Sequence, residues 1–263
     1  MKDDLTETWL FDLGNSRAKA ARLECGNPVD VIALDWDTED FTAALRRCLD
    51  GWPHPARIWV ASVASAAHAE RVRETLAQVA PGQVEWLRTP RHADGVTNRY
   101  AKPERLGIDR FLAMVAVHAH TSGPCAVVGC GTALTLDTLD ADGSHVEGMI
   151  ALSPTGMLRA LDARTAIAAG NPDAFADDAS DDTAQALRAG CWASAGALVE
   201  WFLQRCAARS GASQLWLHGG WAAELREWLA HDDCRVEVVD HAVLLGLAAW
   251  AAAGGTQSSV RER

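Results

Sequence analysis

Leu10-Phe11-Asp12-Leu13-Gly14-Asn15-Ser16 is answered in the second half of the chain by Val127-Val128-Gly129-Cys130-Gly131-Thr132-Ala133. Each stretch is an apolar strand that runs through x-x-Gly into a small polar turn and returns as a second strand. A repeated unit constrains an architecture more than any single element does. Two such units, each followed by further strands and helices, predict an α/β protein of two duplicated lobes, residues 1–121 and 122–263. Ligand sites in α/β sheets form where loops meet at a crevice, so the expected site is a central cleft between the lobes.

Outward from the first stretch, 17–23 reads as the return arm of a hairpin and 29–36 as a third strand. Asp37-Thr38-Glu39-Asp40 gives an acidic start to a helix over 41–49, where negative charge is favourable. A strand over 57–63, a helix over 66–79 and a strand over 84–88 follow. Residues 89–107 are polar and turn-rich. Phe111, Leu112, Met114, Val115 and Val117 space a largely buried helix over 108–120. Outward from the second stretch, 134–139 is the return strand and Asp142-Gly143 a tight turn. Helices are expected near 154–166, 181–208, 221–230 and 241–253, and strands at 215–218 and 236–239.

The 263 residues carry 24 Lys+Arg against 35 Asp+Glu, a net charge of −11. That balance argues against nucleic acid or an anionic membrane as partner, since either calls for a basic face. No apolar run reaches the roughly 20 residues of a membrane span, and residues 1–8 lack an apolar signal core; the expectation is a soluble, cytoplasmic protein. Cys25, Cys48, Cys125, Cys130, Cys191, Cys206 and Cys234 contain no C-x-x-C pair. They fit small buried hydrophobes better than a disulfide scaffold or a zinc site. Eleven tryptophans stand against one tyrosine, Tyr100.

The two glycine turns place backbone N–H groups and small hydroxyls at strand ends, where an anion can approach closely. His218-Gly219-Gly220 opens a helix and offers a third such position. None matches a Walker A or G-x-G-x-x-G pattern, and each taken alone reads more readily as an ordinary turn. Asp12 reads either as a turn carboxylate or as a ligand for Mg²⁺, which prefers carboxylates and water. Asp109 reads either as a helix cap paired with Arg110 or as a base for a hydroxyl proton, with Arg110 orienting a polar substrate.

Asp12-Leu13-Gly14-Asn15-Ser16, Gly107-Ile108-Asp109-Arg110 and Gly131-Thr132-Ala133-Leu134-Thr135 resemble, in order and spacing, the type III pantothenate kinases. Asn98-Arg99-Tyr100, Thr183-Ala184-Gln185-Ala186, His218-Gly219-Gly220 and Leu245-Gly246-Leu247 extend the resemblance over nearly the whole chain. It implies two ribonuclease-H-like lobes of the actin-like ATPase superfamily. It also implies ATP-dependent phosphorylation of pantothenate, the first step of coenzyme A synthesis, in a homodimer that uses Mg²⁺ and K⁺ or NH₄⁺. Asp109 would be the base. Tyr100, Gly107, Ile108, Arg110 and Thr183 would contact pantothenate. Asp12, Leu13, Gly14, Asn15, Ser16, Arg17, Ala18 and Lys19 would form one ATP loop, and Gly131 and Thr132 the other.

The chain departs from the family pattern at Gly129, where most members carry an Asp that helps bind the monovalent cation, and over Glu147-Gly148-Met149-Ile150-Ala151-Leu152-Ser153-Pro154. Two other functions suit the same residues. One is a nucleotide-binding regulatory protein that has lost turnover, for which Gly129 speaks. The other is a kinase for a different hydroxyl compound, against which Tyr100 and Thr183 speak.

Overall fold

The structure, a computed structural model, describes residues 7–81, 83–121, 123–164, 175, 182–229 and 235–254. Its first half opens with an antiparallel meander of β1 (Thr8–Leu13), β2 (Arg17–Glu24) and β3 (Asn27–Asp35). Then come α1 (Phe41–Leu49), β4 (Arg57–Ser62), α2 (Ala66–Val79) and β5 (Val84–Trp86). The five strands lie in the order β3-β2-β1-β4-β5, with β4 parallel to β1 and β5 parallel to β4. A small hairpin of β6 (His92–Ala93) and β7 (Val96–Thr97) and a 3₁₀ turn at Pro103–Arg105 lead to α3 (Ile108–His118).

The second half repeats the plan. β8 (Cys125–Cys130), β9 (Ala133–Leu139) and β10 (His145–Leu152) form the meander, followed by α4 (Pro154–Asp162), α5 (Thr183–Ser210), β11 (Gln214–His218), α6 (Ala222–Trp228) and β12 (Arg235–Val238). The strand order is β10-β9-β8-β11-β12, the first sheet's order again. The short sequence repeat thus marks the first hairpin of each of two identically ordered sheets. α7 (Ala242–Ala252) closes the described chain.

The elements follow from their side chains. β1 is central and buried along most of its length, so Trp9, Leu10, Phe11 and Leu13 read as one apolar run and not as an alternation. α1 begins at Asp40, whose carboxylate accepts the Ala43 N–H, and it buries Phe41, Ala44, Leu45 and Leu49 on one face. α3 is buried on nearly every side, and with Phe111 through Val117 it takes in Arg110 as well.

Cα proximity groups the residues up to Ala116 with those from Ala242 onward, and Val117–His241 as a second unit. α7, placed by sequence in the later lobe, therefore joins the earlier unit. The reason is steric and apolar: it packs on β1 and β3, and Gly246 sits so close to the Leu112 carbonyl of α3 that a Cβ there would overlap it.

β10 has no counterpart in the sequence reading, because its pattern does not alternate cleanly. His145 is buried against Asp137 at 2.8 Å, Glu147 pairs with Arg205 and Arg209, and Ile150 and Leu152 are exposed. The β6–β7 hairpin inside the polar stretch was likewise not foreseen. Of the cysteines, Cys125, Cys130, Cys191 and Cys206 are buried, Cys48 is half-buried and Cys25 is exposed; Cys234 lies outside the described residues. Burial pushes the Cys125 thiol up to about 12, which leaves it unreactive at neutral pH. Among the described residues no helix is long and apolar enough to cross a membrane.

Candidate active site

In the first unit the end of β1 and the start of α3 bring two carboxylates within electrostatic reach. Asp12 faces Lys19 in the β1–β2 register. Burial raises the Asp12 carboxyl to about 6; Lys19 pulls it down, and Asp109 adds to the rise. Asp109 sits in the first turn of α3, where helix dipole and orphan N–H groups favour an anion, and it accepts the Arg110 N–H at 2.8 Å. Gly107 makes room for it: a Cβ on residue 107 would lie 2.5 Å from the Asp109 Oδ1. The Gly-x-Asp spacing is thus a steric requirement of this carboxylate's position.

Arg110, the residue after Asp109, meets Tyr100. The buried Arg110 guanidinium donates to the Tyr100 hydroxyl at 3.4 Å. The loop that carries Tyr100 is tied from within. Asn98, fully buried, donates to the Pro90 and Pro103 carbonyls and accepts the Tyr100 N–H at 3.0 Å. Arg91 donates to the carbonyls of Asn98 and Tyr100 at 2.8 and 2.7 Å. Ile108 is buried and anchors the helix start.

The β1–β2 turn is tight: the Gly14 N–H donates to the Arg17 carbonyl at 3.0 Å. Leu13 and Ala18 point inward, whereas Asn15, Ser16 and Arg17 are exposed. Arg17 pairs with Asp35 at 3.3 Å, but both are more than half exposed. Such a pair contributes at most about 1 kcal/mol and leaves Arg17 available to an anion. Trp36, directly after β3, donates its indole N–H to the Gly14 carbonyl at 2.9 Å and its backbone N–H to the Ser16 carbonyl at 3.3 Å.

In the second unit the β8–β9 turn is held in the same way. Gly131 donates to the Ala133 carbonyl at 3.2 Å, and the Trp221 indole donates to the Gly131 carbonyl at 2.9 Å. The Ser153 hydroxyl donates to the Thr132 carbonyl at 2.9 Å, and Thr132 itself is exposed. Thr183 is the first residue of α5, capped by Asp182. Gly129 lies in β8 between Thr135 on β9 and His218 on β11. A Cβ there would overlap the Thr135 Oγ1 and lie 3.0 Å from the His218 Nε2.

Asp12, Lys19, Tyr100, Gly107, Asp109 and Arg110 are thus gathered in one unit, and Gly129, Gly131, Thr132 and Thr183 belong to the other. The sequence reading missed Trp36, Trp221, Arg91 and the crowding at Gly129. Its one signal for the first two was the excess of tryptophan. Chemically, a carboxylate at a helix start beside a guanidinium and a phenol can take a proton from a bound polar substrate. A tight glycine turn next to a lysine, with a half-buried carboxylate at hand for a cation, suits phosphate.

A family model for type III pantothenate kinases matches residues 9–205. The type III pantothenate kinase of Xanthomonas campestris pv. campestris (strain B100) is 43% identical over 92% of this chain and 96% of its own. That of Xylella fastidiosa (strain 9a5c) is 41% identical over 93% and 97%. Among solved structures, a conserved Baf-family protein from Campylobacter jejuni superposes with a TM-score of 0.59 at 16% identity, covering 94% of this chain and all of that one. MreB 5 of Spiroplasma citri, solved with AMPPNP, gives 0.51 at 9% identity, covering 95% and 97%. The structural likenesses speak for the actin-like fold alone.

Proposed function

The chain belongs to the type III pantothenate kinase family, and from that premise we infer its reaction and the part each residue plays. It is a kinase that phosphorylates pantothenate with ATP, a reaction of coenzyme A biosynthesis. The observation that carries the site reading is the Asp109 carboxylate, held at the start of α3 with Gly107 clearing its space and with Arg110, the next residue, paired with Tyr100.

In this reading Asp109 accepts the proton of the pantothenate primary hydroxyl as that oxygen attacks the γ-phosphorus of ATP and ADP departs. Gly107, Ile108, Arg110, Tyr100 and Thr183 position pantothenate, the guanidinium supplying charge for an anionic substrate. Residues 12–19 receive ATP phosphates in the first unit, and Gly131 and Thr132 are the ATP contacts of the second. Phosphoryl transfer needs chiefly positioning and charge stabilisation, which these groups supply.

Mg²⁺ fits the residues present. Asp12 is a half-buried carboxylate whose charge desolvation and Asp109 both disfavour, so a cation there relieves an existing strain. Mg²⁺ needs only one or two carboxylates when phosphates and water complete its shell. Asp12 would hold it, and bound Mg²⁺ would neutralise charge on the phosphates. A monovalent cation does not fit at Gly129, where no carboxylate exists and Thr135 and His218 fill the space; no step runs through it. A homodimer, which rests on family resemblance, and a cytoplasmic location, as expected from the sequence, complete the reading.

Asp109→Asn tests the base. It should lower kcat on the order of 10²-fold or more while ATP binding survives. Near wild-type turnover would return Asp109 to the role of a helix cap.

A further inference from the structure

We propose that Trp36 and Trp221 are positioning residues that aim one backbone amide in each phosphate loop, those of Asn15 and Thr132, at the phosphates of ATP. A peptide unit is planar and trans, so its carbonyl and the following N–H point in opposite directions. The Trp36 indole holds the Gly14 carbonyl at 2.9 Å, and this turns the Asn15 N–H away from the core. The Trp221 indole holds the Gly131 carbonyl at 2.9 Å and turns the Thr132 N–H in the same sense. Fixing a dipole before the ligand arrives spares the binding event its reorganisation.

The two indoles are themselves fixed. Trp36 is buried, stacks on His68 with ring centroids 4.4 Å apart, lies 4.8 Å from the Phe41 ring, and accepts from Arg71 at its carbonyl. Trp221 meets Trp192 edge-on at 5.5 Å, and its backbone N–H reaches the Cys130 carbonyl. The likeness is not a by-product of the repeat. Trp36 follows β3, whereas Trp221 follows β11, which is not the corresponding strand. Nor is it the usual fate of an indole in this protein: those of Trp9 and Trp216 meet no acceptor among the described residues.

The proposal rests on the reading of the two turns as ATP loops, and its test separates the two. Dissociation constants for ADP and for adenosine are measured by titration calorimetry on the full chain with Trp36→Phe and Trp221→Phe, with Trp9→Phe and Trp216→Phe as controls. Phenylalanine keeps an aromatic plate and removes the N–H. The ADP constant should rise about five-fold in each of the first two variants, the worth of one neutral hydrogen bond. Adenosine, which lacks phosphate, should bind unchanged, and the controls should alter neither. Equal loss for ADP and adenosine, or no loss, overturns the proposal.

Asn15→Asp and Thr132→Asp, at exposed positions, place a negative charge beside the phosphates. If they leave ADP binding unchanged, the loop reading itself fails. If they weaken it while the phenylalanine variants do not, only the indole proposal fails. Should a phenylalanine variant not fold, the wild-type protein still decides. The Trp36 and Trp221 indole N–H resonances should exchange slowly with solvent and move on ADP addition, and indole signals that ignore ADP overturn the proposal.

Discussion

Gly107→Ala isolates the geometry of the proposed base from its chemistry. The backbone at 107 does not lie in the left-handed region, so alanine is allowed there, and the Val63 side chain stands at an ordinary 3.8 Å from the new Cβ. The conflict is with one atom: the Asp109 Oδ1, at 2.5 Å, must retreat to the ordinary contact distance of 3.4 Å, a movement of about 0.9 Å. The carboxylate can turn without unfolding the helix. Replacing glycine by alanine at a compatible position itself stabilises by about 0.4–1 kcal/mol through the unfolded chain, so the melting temperature should hold within about 4 °C. Misplacing a reacting group by roughly 1 Å costs on the order of 10²-fold in rate. The expected result is a kcat lowered by about that factor, an unchanged ADP dissociation constant and near-native stability. Steady-state kinetics and a thermal melt on the same preparation read all three. In the double variant with Asp109→Asn the glycine change should cost nothing further, since the group it displaces no longer works as a base. A Gly107→Ala enzyme with wild-type kcat, or one that loses as much again in the double variant, refutes the reasoning.

Asp12 and the cation give two more predictions. The Asp12 carboxyl is raised from 3.8 to about 6 in the folded protein, so between those values the folded state binds more protons than the unfolded. Stability from this group therefore falls as pH rises through that window, and the penalty is complete above pH 6. Asp12→Asn should stabilise the ligand-free protein by on the order of 1–3 kcal/mol at pH 7.5, with the gain vanishing near pH 3.5, while Mg²⁺-dependent activity is lost; denaturant melts at the two pH values check it, and an equal effect at both contradicts it. Gly129 leads to the expectation that replacing K⁺ by choline at constant ionic strength changes kcat little; a steep K⁺ requirement would show that other ligands supply the site.

The duplicated sheets were legible because the hairpins that nucleate them are local. A strand, a glycine turn and a return strand lie within about a dozen residues at Leu10 and again at Val127, and each end-of-strand signal is a residue type with a fixed conformational use. α1 and α3 were legible for the same reason, through a cap at Asp40 and an apolar run from Phe111. β10 was not, because its burial is settled by partners distant in sequence: Glu147 by Arg205 and Arg209 on α5. The membership of α7 was hidden likewise, since its packing against α3 depends on Gly246 meeting the Leu112 carbonyl. In the site, Asp12, Asp109, Arg110 and Tyr100 were named from motifs. Their physical relations were not: the Gly107 clearance is local but shows only once the Asp109 side chain is placed, and the Asp12–Asp109 repulsion and the indole bonds to Gly14 and Gly131 join residues 97, 22 and 90 positions apart. No local pattern encodes such distances.

The central claim is that this chain transfers phosphate to pantothenate. The most direct measurement incubates the purified protein with Mg²⁺ and ATP, with and without pantothenate, and follows both ADP release and the mass of the pantothenate pool. The account predicts ADP release that depends on pantothenate and matches, mole for mole, a product heavier by one phosphoryl group. ADP release that ignores pantothenate, or none under any monovalent cation, would contradict it.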